Sequence, residues 1–196
     1  MKGFLIVIEG IDGSGKTTQV NLLSEYLKNK NIPYEVINFP RYGNNEYTDQ
    51  IERYLKGEEK FDIQTIAKVY AADRSLAKPQ IENWLNEDKI VIANRYTAAN
   101  IAHLGTDLKE DMPKPDLTML LDVDPKVGQK NSLDPNRPDI HEEDLNHLEK
   151  ARKYYLDLAN SEENWKVIEC MEGGEMKSKE QIHKLIVEIS DKYLVS

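Results

Sequence analysis

Several absences narrow the field before any motif is considered. Cysteine occurs once in 196 residues, at Cys170, so no intramolecular disulfide can form and a reducing, cytoplasmic setting is expected. Cys170 lies in the apolar-leaning run Val167-Ile168-Glu169-Cys170-Met171 and is expected to be a buried, inert thiol. No stretch approaches the ~20 apolar residues of a bilayer span, so no membrane partner is expected. The first apolar run, residues 4–8, stops at Glu9, as a strand does and a secretion signal does not. Basic residues are outnumbered, 26 Lys and Arg against 35 Asp and Glu, giving a formal net charge of −9. A nucleic-acid polymer as partner would want the opposite balance. Internal repeats and low-complexity tracts are missing too.

What remains fits one domain, with 39% hydrophobic and 31% charged residues in a chain long enough to bury a core. Apolar runs alternate with helical patterns, which predicts an α/β fold with a parallel sheet. Strands are expected at residues 4–9, 34–39, 89–93, 117–123 and 165–170, and the inner ones read as near-continuous apolar runs, as in strands covered on both faces. Helices are expected at residues 15–29, 48–56, 63–85, 139–160 and 179–193. In the last, Ile182, Leu185, Ile186 and Ile189 recur at helical spacing and should pack inward. Pro79 should end or kink the long central helix near Lys78. Residues 126–138 are polar, hold two prolines and read as a mobile lid between a strand and a helix.

The strongest motif is Gly10-Ile11-Asp12-Gly13-Ser14-Gly15-Lys16-Thr17, directly after the first strand. This G-x-x-x-x-G-K-T spelling is a P-loop. Its glycines let several backbone N–H groups converge on one anion, and the helix that follows adds its positive end. Gly10 through Thr17, with Thr18, are the expected ATP-binding residues. Lys16 is expected on the β- and γ-phosphates, and the Thr17 hydroxyl on Mg²⁺. Two fixed glycines coincide at only about 0.5% of positions, and the strand-loop-helix frame thins chance matches further. A P-loop does not say what receives the phosphate. Guanine-reading switches carry Asn-Lys-x-Asp after a later strand; here Asn29-Lys30-Asn31-Ile32 lacks the Asp and falls too early. A kinase for a small acceptor is favoured.

Four further motifs follow in order: Phe39-Pro40-Arg41-Tyr42, Val69-Tyr70-Ala71-Ala72-Asp73-Arg74, Asn94-Arg95-Tyr96-Thr97-Ala98-Ala99-Asn100-Ile101-Ala102-His103, and Leu120-Leu121-Asp122-Val123. With the P-loop they resemble the thymidylate kinase family of P-loop nucleoside monophosphate kinases, over nearly the whole chain. The resemblance implies a three-layer sandwich, a five-stranded parallel sheet flanked by helices with a lid. It implies transfer of the ATP γ-phosphate to dTMP, Mg²⁺ as cofactor and a homodimer. It places Tyr70 and Arg74, one helical turn apart, on the thymine base with Asn100, whose amide offers a donor and an acceptor. It places Asp12 at the sugar 3′-hydroxyl, Arg95 on the acceptor phosphate, and Phe39, Arg41, His103 and His141 around the acceptor. Alternatives are a broader pyrimidine monophosphate or deoxynucleoside kinase, or a nucleotide-binding pseudoenzyme.

The chain departs from the family pattern in four places. Asn94 stands where the family has Asp, and its amide oxygen can accept from a metal-bound water without adding charge. His103 replaces a Tyr or Phe that excludes the ribose 2′-hydroxyl, so looser discrimination against UMP is expected. Arg41 falls one place early. Gly13-Ser14 brings no basic residue into the P-loop, which shifts the catalytic arginine to the lid, where Arg137 is the sole guanidinium. Asp139 and Glu142 read as a helix N-cap and its capping box. A positioned arginine is worth on the order of 10³–10⁵ in rate in related P-loop systems. Arg137→Ala is therefore expected to cut kcat far more than it raises KM; steady-state kinetics with a loss confined to KM would assign Arg137 to binding alone.

Overall fold

The computed structural model describes residues 3–132 and 144–194. Its main sheet holds five parallel strands, β1 (Phe4–Glu9), β2 (Tyr34–Asn38), β3 (Ile90–Asn94), β4 (Leu117–Asp122) and β5 (Trp165–Glu169), in the order β2-β3-β1-β4-β5. A two-stranded antiparallel hairpin, β6 (Met171–Glu172) and β7 (Glu175–Met176), follows β5. The helices are α1 (Lys16–Asn29), α2 (Glu46–Leu55), α3 (Ile63–Asn86), α4 (Ala98–Leu104), α5 (Pro125–Ser132), α6 (Leu145–Ser161) and α7 (Lys179–Leu194).

Helices cover both faces of the sheet, and β1 divides its side chains between them with period two. Ile6 and Ile8 pack with Val20, Leu23 and Leu27 of α1 and Ile182 and Ile186 of α7. Leu5 and Val7 pack on the opposite face with Ala77 and Ile81 of α3. A third cluster joins Ile11 and Leu120 to Leu148, Ala151 and Tyr155 of α6. Coverage on both sides explains why the strand is a continuous apolar run and not an alternating one.

From β1 the chain runs to the edge strand β2, returns through β3, then crosses β1 to reach β4 and β5. The winding direction reverses beside β1, and in such sheets ligands bind past the carboxyl ends of the strands at that point. Register sets which residues meet there: Asn94 of β3 lies opposite both Ile8 of β1 and Asn38 of β2, and Glu9 lies opposite Leu120 of β4.

The strands lie where the sequence places them, with Phe39, Lys89, Val123 and Cys170 falling just outside and Asn94 joining β3. Cys170 is fully buried and its Sγ donates to the Ile168 carbonyl; burial pushes the thiol up to about 12. Three expectations need correction. α3 continues through Pro79 to Asn86. Ser75 and Pro79 are both exposed, so the carbonyl that loses its N–H partner is left to water and not to the core. The long helix after the lid begins at Leu145, where Asp144 caps it by accepting from Asn146 N–H at 3.0 Å. Residues 126–132, expected as part of the lid, belong to α5, with Pro125 at its first position and Asp124 accepting from Lys126 N–H at 2.9 Å. Residues 133–138 and 139–143 lie outside the described residues. Two elements had no counterpart in the sequence reading, α4 and the β6–β7 hairpin.

α5 meets the P-loop through two glycines. Gly13 has φ +70°, and a Cβ there would fall 1.9 Å from the Gly128 carbonyl oxygen. A Cβ on Gly128 would fall 2.7 Å from the Asp12 carbonyl oxygen and 2.9 Å from Ile11 Cδ1. Gly128→Ala gains helix propensity of about 1 kcal/mol, but the forced separation of two backbones costs typically 1–3 kcal/mol. The second effect should win, so the urea midpoint is expected to fall; a midpoint at or above wild type would mean that α5 can retreat freely.

Candidate active site

The loop from Gly10 to Gly15 joins β1 to α1 and puts an uncapped helix end at the switch point. The cap position is Gly15, at φ +87°, which offers no side chain to the first N–H groups, and the first turn carries no acid. Those amides and the positive end of the helix are left for an anion. Lys16, 8% exposed, donates from Nζ to the carbonyls of Gly10 at 3.1 Å and Ile11 at 2.7 Å. Thr17 and Thr18 are exposed in the first turn of α1. The Ser14 Oγ is buried with no partner among the described residues.

Beside this loop lies a pocket with about 640 Å³ of empty space, part of it open to solvent. Its walls come from the P-loop (Asp12), the segment after β2 (Phe39, Pro40, Tyr42), α2 (Leu55), α3 (Tyr70, Asp73, Arg74), the turn after β3 (Arg95) and α4 (Ala99, Asn100, His103, Leu104). Of the expected acceptor residues, Asp12, Phe39, Tyr70, Arg74, Arg95, Asn100 and His103 are thus brought together. Arg41 is not in the wall. It donates from Nε to Asp73 Oδ1 at 2.9 Å and from a terminal nitrogen to the Asp73 carbonyl at 2.8 Å. Asp73 is 1% exposed, and removing the cation from a carboxylate so buried is costly. His141 and Arg137 lie outside the described residues.

In the pocket wall Arg74, 2% exposed, is held by Glu110 in a two-bond fork, Nε to Oε2 at 2.7 Å and a terminal nitrogen to Oε1 at 2.6 Å. Its other terminal nitrogen has no partner among the described residues and remains to donate. Asn100 commits its amide nitrogen to the Ala67 carbonyl at 3.1 Å and to Glu110 Oε1 at 3.3 Å. The group it can offer a ligand is its oxygen. A donor beside an acceptor, next to the Tyr70 ring, suits a flat heterocycle with a carbonyl next to an N–H.

Next to the P-loop the wall is formed by Arg95, whose backbone is in the left-handed region at φ +63°. Its own N–H donates to the Ile8 carbonyl at 3.0 Å, and the next N–H, of Tyr96, donates to Glu9 Oε1 at 2.7 Å. Glu9 is fully buried, and its second oxygen accepts from Tyr155 at 2.8 Å. Burial raises the Glu9 carboxyl above its ordinary range against the pull of Arg95 and these hydrogen bonds. Burial likewise lifts the Tyr155 hydroxyl well above its usual value, with Glu9 adding to the shift. The guanidinium donates to the Gly10 carbonyl at 3.3 Å, to Asp12 and to His103 Nε2 at 2.8 Å. Burial opposes its charge, but Asp12 and the other acids outweigh that, and its pKa is raised.

Arginine can only donate, so His103 Nε2 is an acceptor and its hydrogen sits on Nδ1, facing His147 Nε2 at 3.2 Å. Both ring nitrogens are thereby engaged. With both nitrogens so engaged, the imidazole has no ring nitrogen left over for a ribose hydroxyl unless one of these bonds is given up. Burial and the Arg95 charge hold the His103 pKa well below 6.5.

Asn94 donates to Thr17 Oγ1 at 3.2 Å and to Asn38 Oδ1 at 3.0 Å, while its own Oδ1 is buried without a partner among the described residues. A buried acceptor next to the P-loop threonine fits a Mg²⁺ ion carrying waters. Among the described residues no group of three His, Cys, Asp or Glu is placed to hold a metal, so such an ion would rest mainly on nucleotide oxygens and on Thr17.

Sequence reasoning missed Glu9, Glu110, His147 and Tyr155. The last two share α6 with the expected helical spacing of a buried face, but nothing in their local sequence separates a site residue from a core one.

His103 provides a pH test. Folded, it stays neutral; unfolded, it takes up a proton near 6.5. Its contribution is complete above pH 6.5 and is lost below that, by about 1 kcal/mol at a pH one unit lower. His103→Phe should therefore lose less stability than wild type when urea midpoints are compared at about pH 7.5 and 5.5. Equal losses would mean that the folded imidazole accepts a proton.

Known proteins resemble this chain along nearly its whole length. The family model described as Thymidylate kinase matches residues 8–194. A thymidylate kinase of Fervidobacterium nodosum is 30% identical over 96% of this chain and 99% of its own length. One from a Sulfurihydrogenibium species is 34% identical over 95% and 96%. Among solved structures, a thymidylate kinase from Candida albicans has a TM-score of 0.82 at 24% identity, covering 98% of this chain and 92% of that one. Another, from Ehrlichia chaffeensis, has a TM-score of 0.71 at 23% identity, covering 97% and 100%. With the family pattern running from β1 to α7 over a P-loop and an adjoining pocket, the chain belongs to the thymidylate kinase family.

Proposed function

We propose that this chain is a dTMP kinase, moving the γ-phosphate of ATP to dTMP to give dTDP and ADP. One observation carries the assignment of acceptor: Arg74 and Asn100 both line the pocket and both bond Glu110 Oε1, and the same pocket is lined by Arg95, which pairs with Asp12 of the P-loop. Thymine presents a C4 carbonyl and an N3–H, the complement of that pair.

In this reading the P-loop amides and Lys16 hold the ATP phosphates, and Lys16 exchanges its two loop carbonyls for phosphate oxygens. Tyr70 stacks on the base, Phe39 and His103 bound the nucleoside, and Asp12 receives the 3′-hydroxyl. Arg95 holds the acceptor phosphate, a dianion competing with the Asp12 carboxylate for the guanidinium. No protein base is required, because a phosphate monoester oxygen is already nucleophilic at neutral pH; catalysis consists of positioning and charge compensation. Mg²⁺, held by Thr17 and through water by Asn94, supplies neutralisation of charge on the phosphates. Family membership supports a homodimer of one-domain subunits acting in the cytoplasm on free nucleotides. Among the described residues no helix is long and apolar enough to cross a membrane.

An acceptor screen following ADP release from ATP tests the reading with dTMP, dUMP, UMP, dCMP and thymidine. The expected outcome is highest kcat/KM for dTMP and lowest for dCMP among the monophosphates. Similar turnover of all pyrimidine monophosphates would point to a broader kinase, turnover of thymidine to a nucleoside kinase, and no turnover to a nucleotide-binding protein.

A further inference from the structure

Glu110 lies in the segment between α4 and β4, 36 residues from Arg74, with its side chain 6% exposed. Among the described residues it bonds two side chains, and both line the pocket: the fork to Arg74 and the contact to Asn100. That placement has a consequence for polarity. The Arg74 plane is fixed by two parallel bonds, so its spare nitrogen has one direction in which to donate. The Asn100 amide is held at both hydrogens, by Ala67 and Glu110, and a half-turn would set its oxygen against two other acceptors. The pocket therefore offers a donor and an acceptor in fixed order.

We propose that Glu110 is the specificity-determining positioning residue of the pocket, fixing that order so that the site accepts a pyrimidine with a carbonyl and an N–H and rejects one with an amino group and a bare ring nitrogen. This inference rests on the dTMP kinase reading. Cytosine inverts both groups. It would set an amino group against the Arg74 donor and a lone pair against the Asn100 oxygen, a mismatch that leaves four polar groups unpaired in a buried place. With Glu110 replaced, Asn100 can turn over and Arg74 can swing, and the inverted pattern is no longer excluded.

The test compares wild type with Glu110→Gln and Glu110→Asp, using dTMP and dCMP as acceptors, with thermal melting as a control on folding. Gln keeps the shape but faces Arg74 with at most one acceptor; Asp keeps the charge but is too short to span both partners. Expected for Gln is a dTMP KM raised about tenfold or more, kcat and the ATP KM within about threefold, and a dTMP-to-dCMP ratio of kcat/KM reduced at least about tenfold. Asp should fall between Gln and wild type. A purely structural role would lower the melting temperature or kcat for both acceptors alike and leave the ratio unmoved, and that result would overturn the proposal. Failure of both variants to fold would overturn it as well, by making Glu110 a residue of the fold. Wild type that does not phosphorylate dTMP would instead refute the underlying reading, so the two failures are separable.

Discussion

A guanidinium taken out of water has to be met by a carboxylate, and three such pairs surround the acceptor pocket. Arg41 meets Asp73, Arg74 meets Glu110 and Arg95 meets Asp12. Each pair ties elements distant in sequence: the segment after β2 to α3, α3 to the segment before β4, and the turn after β3 to the P-loop. Leaving one member alone in such surroundings costs several kcal/mol, so each charge holds its partner's element in place. The pocket's shape follows from where the carboxylates lie as much as from hydrophobic packing. Arg41 illustrates the point, since its guanidinium is tied to the buried Asp73 through both side-chain and backbone acceptors.

The Arg95 pair differs because its backbone is also constrained. A non-glycine residue at positive φ is uncommon, and this one is held by hydrogen bonds on both sides, Arg95 N–H to Ile8 and Tyr96 N–H to Glu9. Glu9 is in turn bonded to Tyr155 of α6, and His147 of the same helix supports His103 against the Arg95 guanidinium. α6 thus reaches the arginine by two routes, one through its backbone and one through its side chain. A site so supported holds its cation in one position before any ligand arrives, which is the economy that positioning catalysis depends on.

How much of this can be read from the chain depends on the distance over which each signal acts. The strands and α1, α3 and α7 were legible because burial on both faces of a parallel sheet leaves long apolar runs and regular helical spacing. The P-loop was legible because its chemistry fits into eight consecutive residues. α5 was harder: a polar composition and two prolines suggest a lid, and only the Asp124-Pro125 start signals a helix. The Glu172-Gly173-Gly174-Glu175 turn, with both glycines at positive φ, likewise marks a hairpin that was not read. Pro79 does not end α3, because the carbonyl it deprives of an N–H belongs to the exposed Ser75. Glu110 and Glu9 carried no signal at all. An acid in an irregular segment or at a strand end acquires meaning only when folding brings it to a partner 36 or 87 residues away.

An acidic protein that takes two anionic ligands presents an electrostatic puzzle, and distance resolves it. At physiological ionic strength a charge is largely screened beyond about 8 Å, so the formal charge of −9 acts weakly on anything inside the crevice. What an entering phosphate meets at contact range is Lys16, the uncapped end of α1 and Arg95, all in partly buried surroundings where the same charges act more strongly. Two of these cations are already satisfied, Lys16 by loop carbonyls and Arg95 by Asp12. In the proposed reading binding is an exchange of partners, and its selectivity would follow: neutral groups give up Lys16 readily, whereas Asp12 would yield Arg95 only to a group of greater charge. A monoester dianion meets that condition and a nucleoside does not. The same ion pair that keeps the pocket stable when empty then favours a nucleotide over its dephosphorylated form.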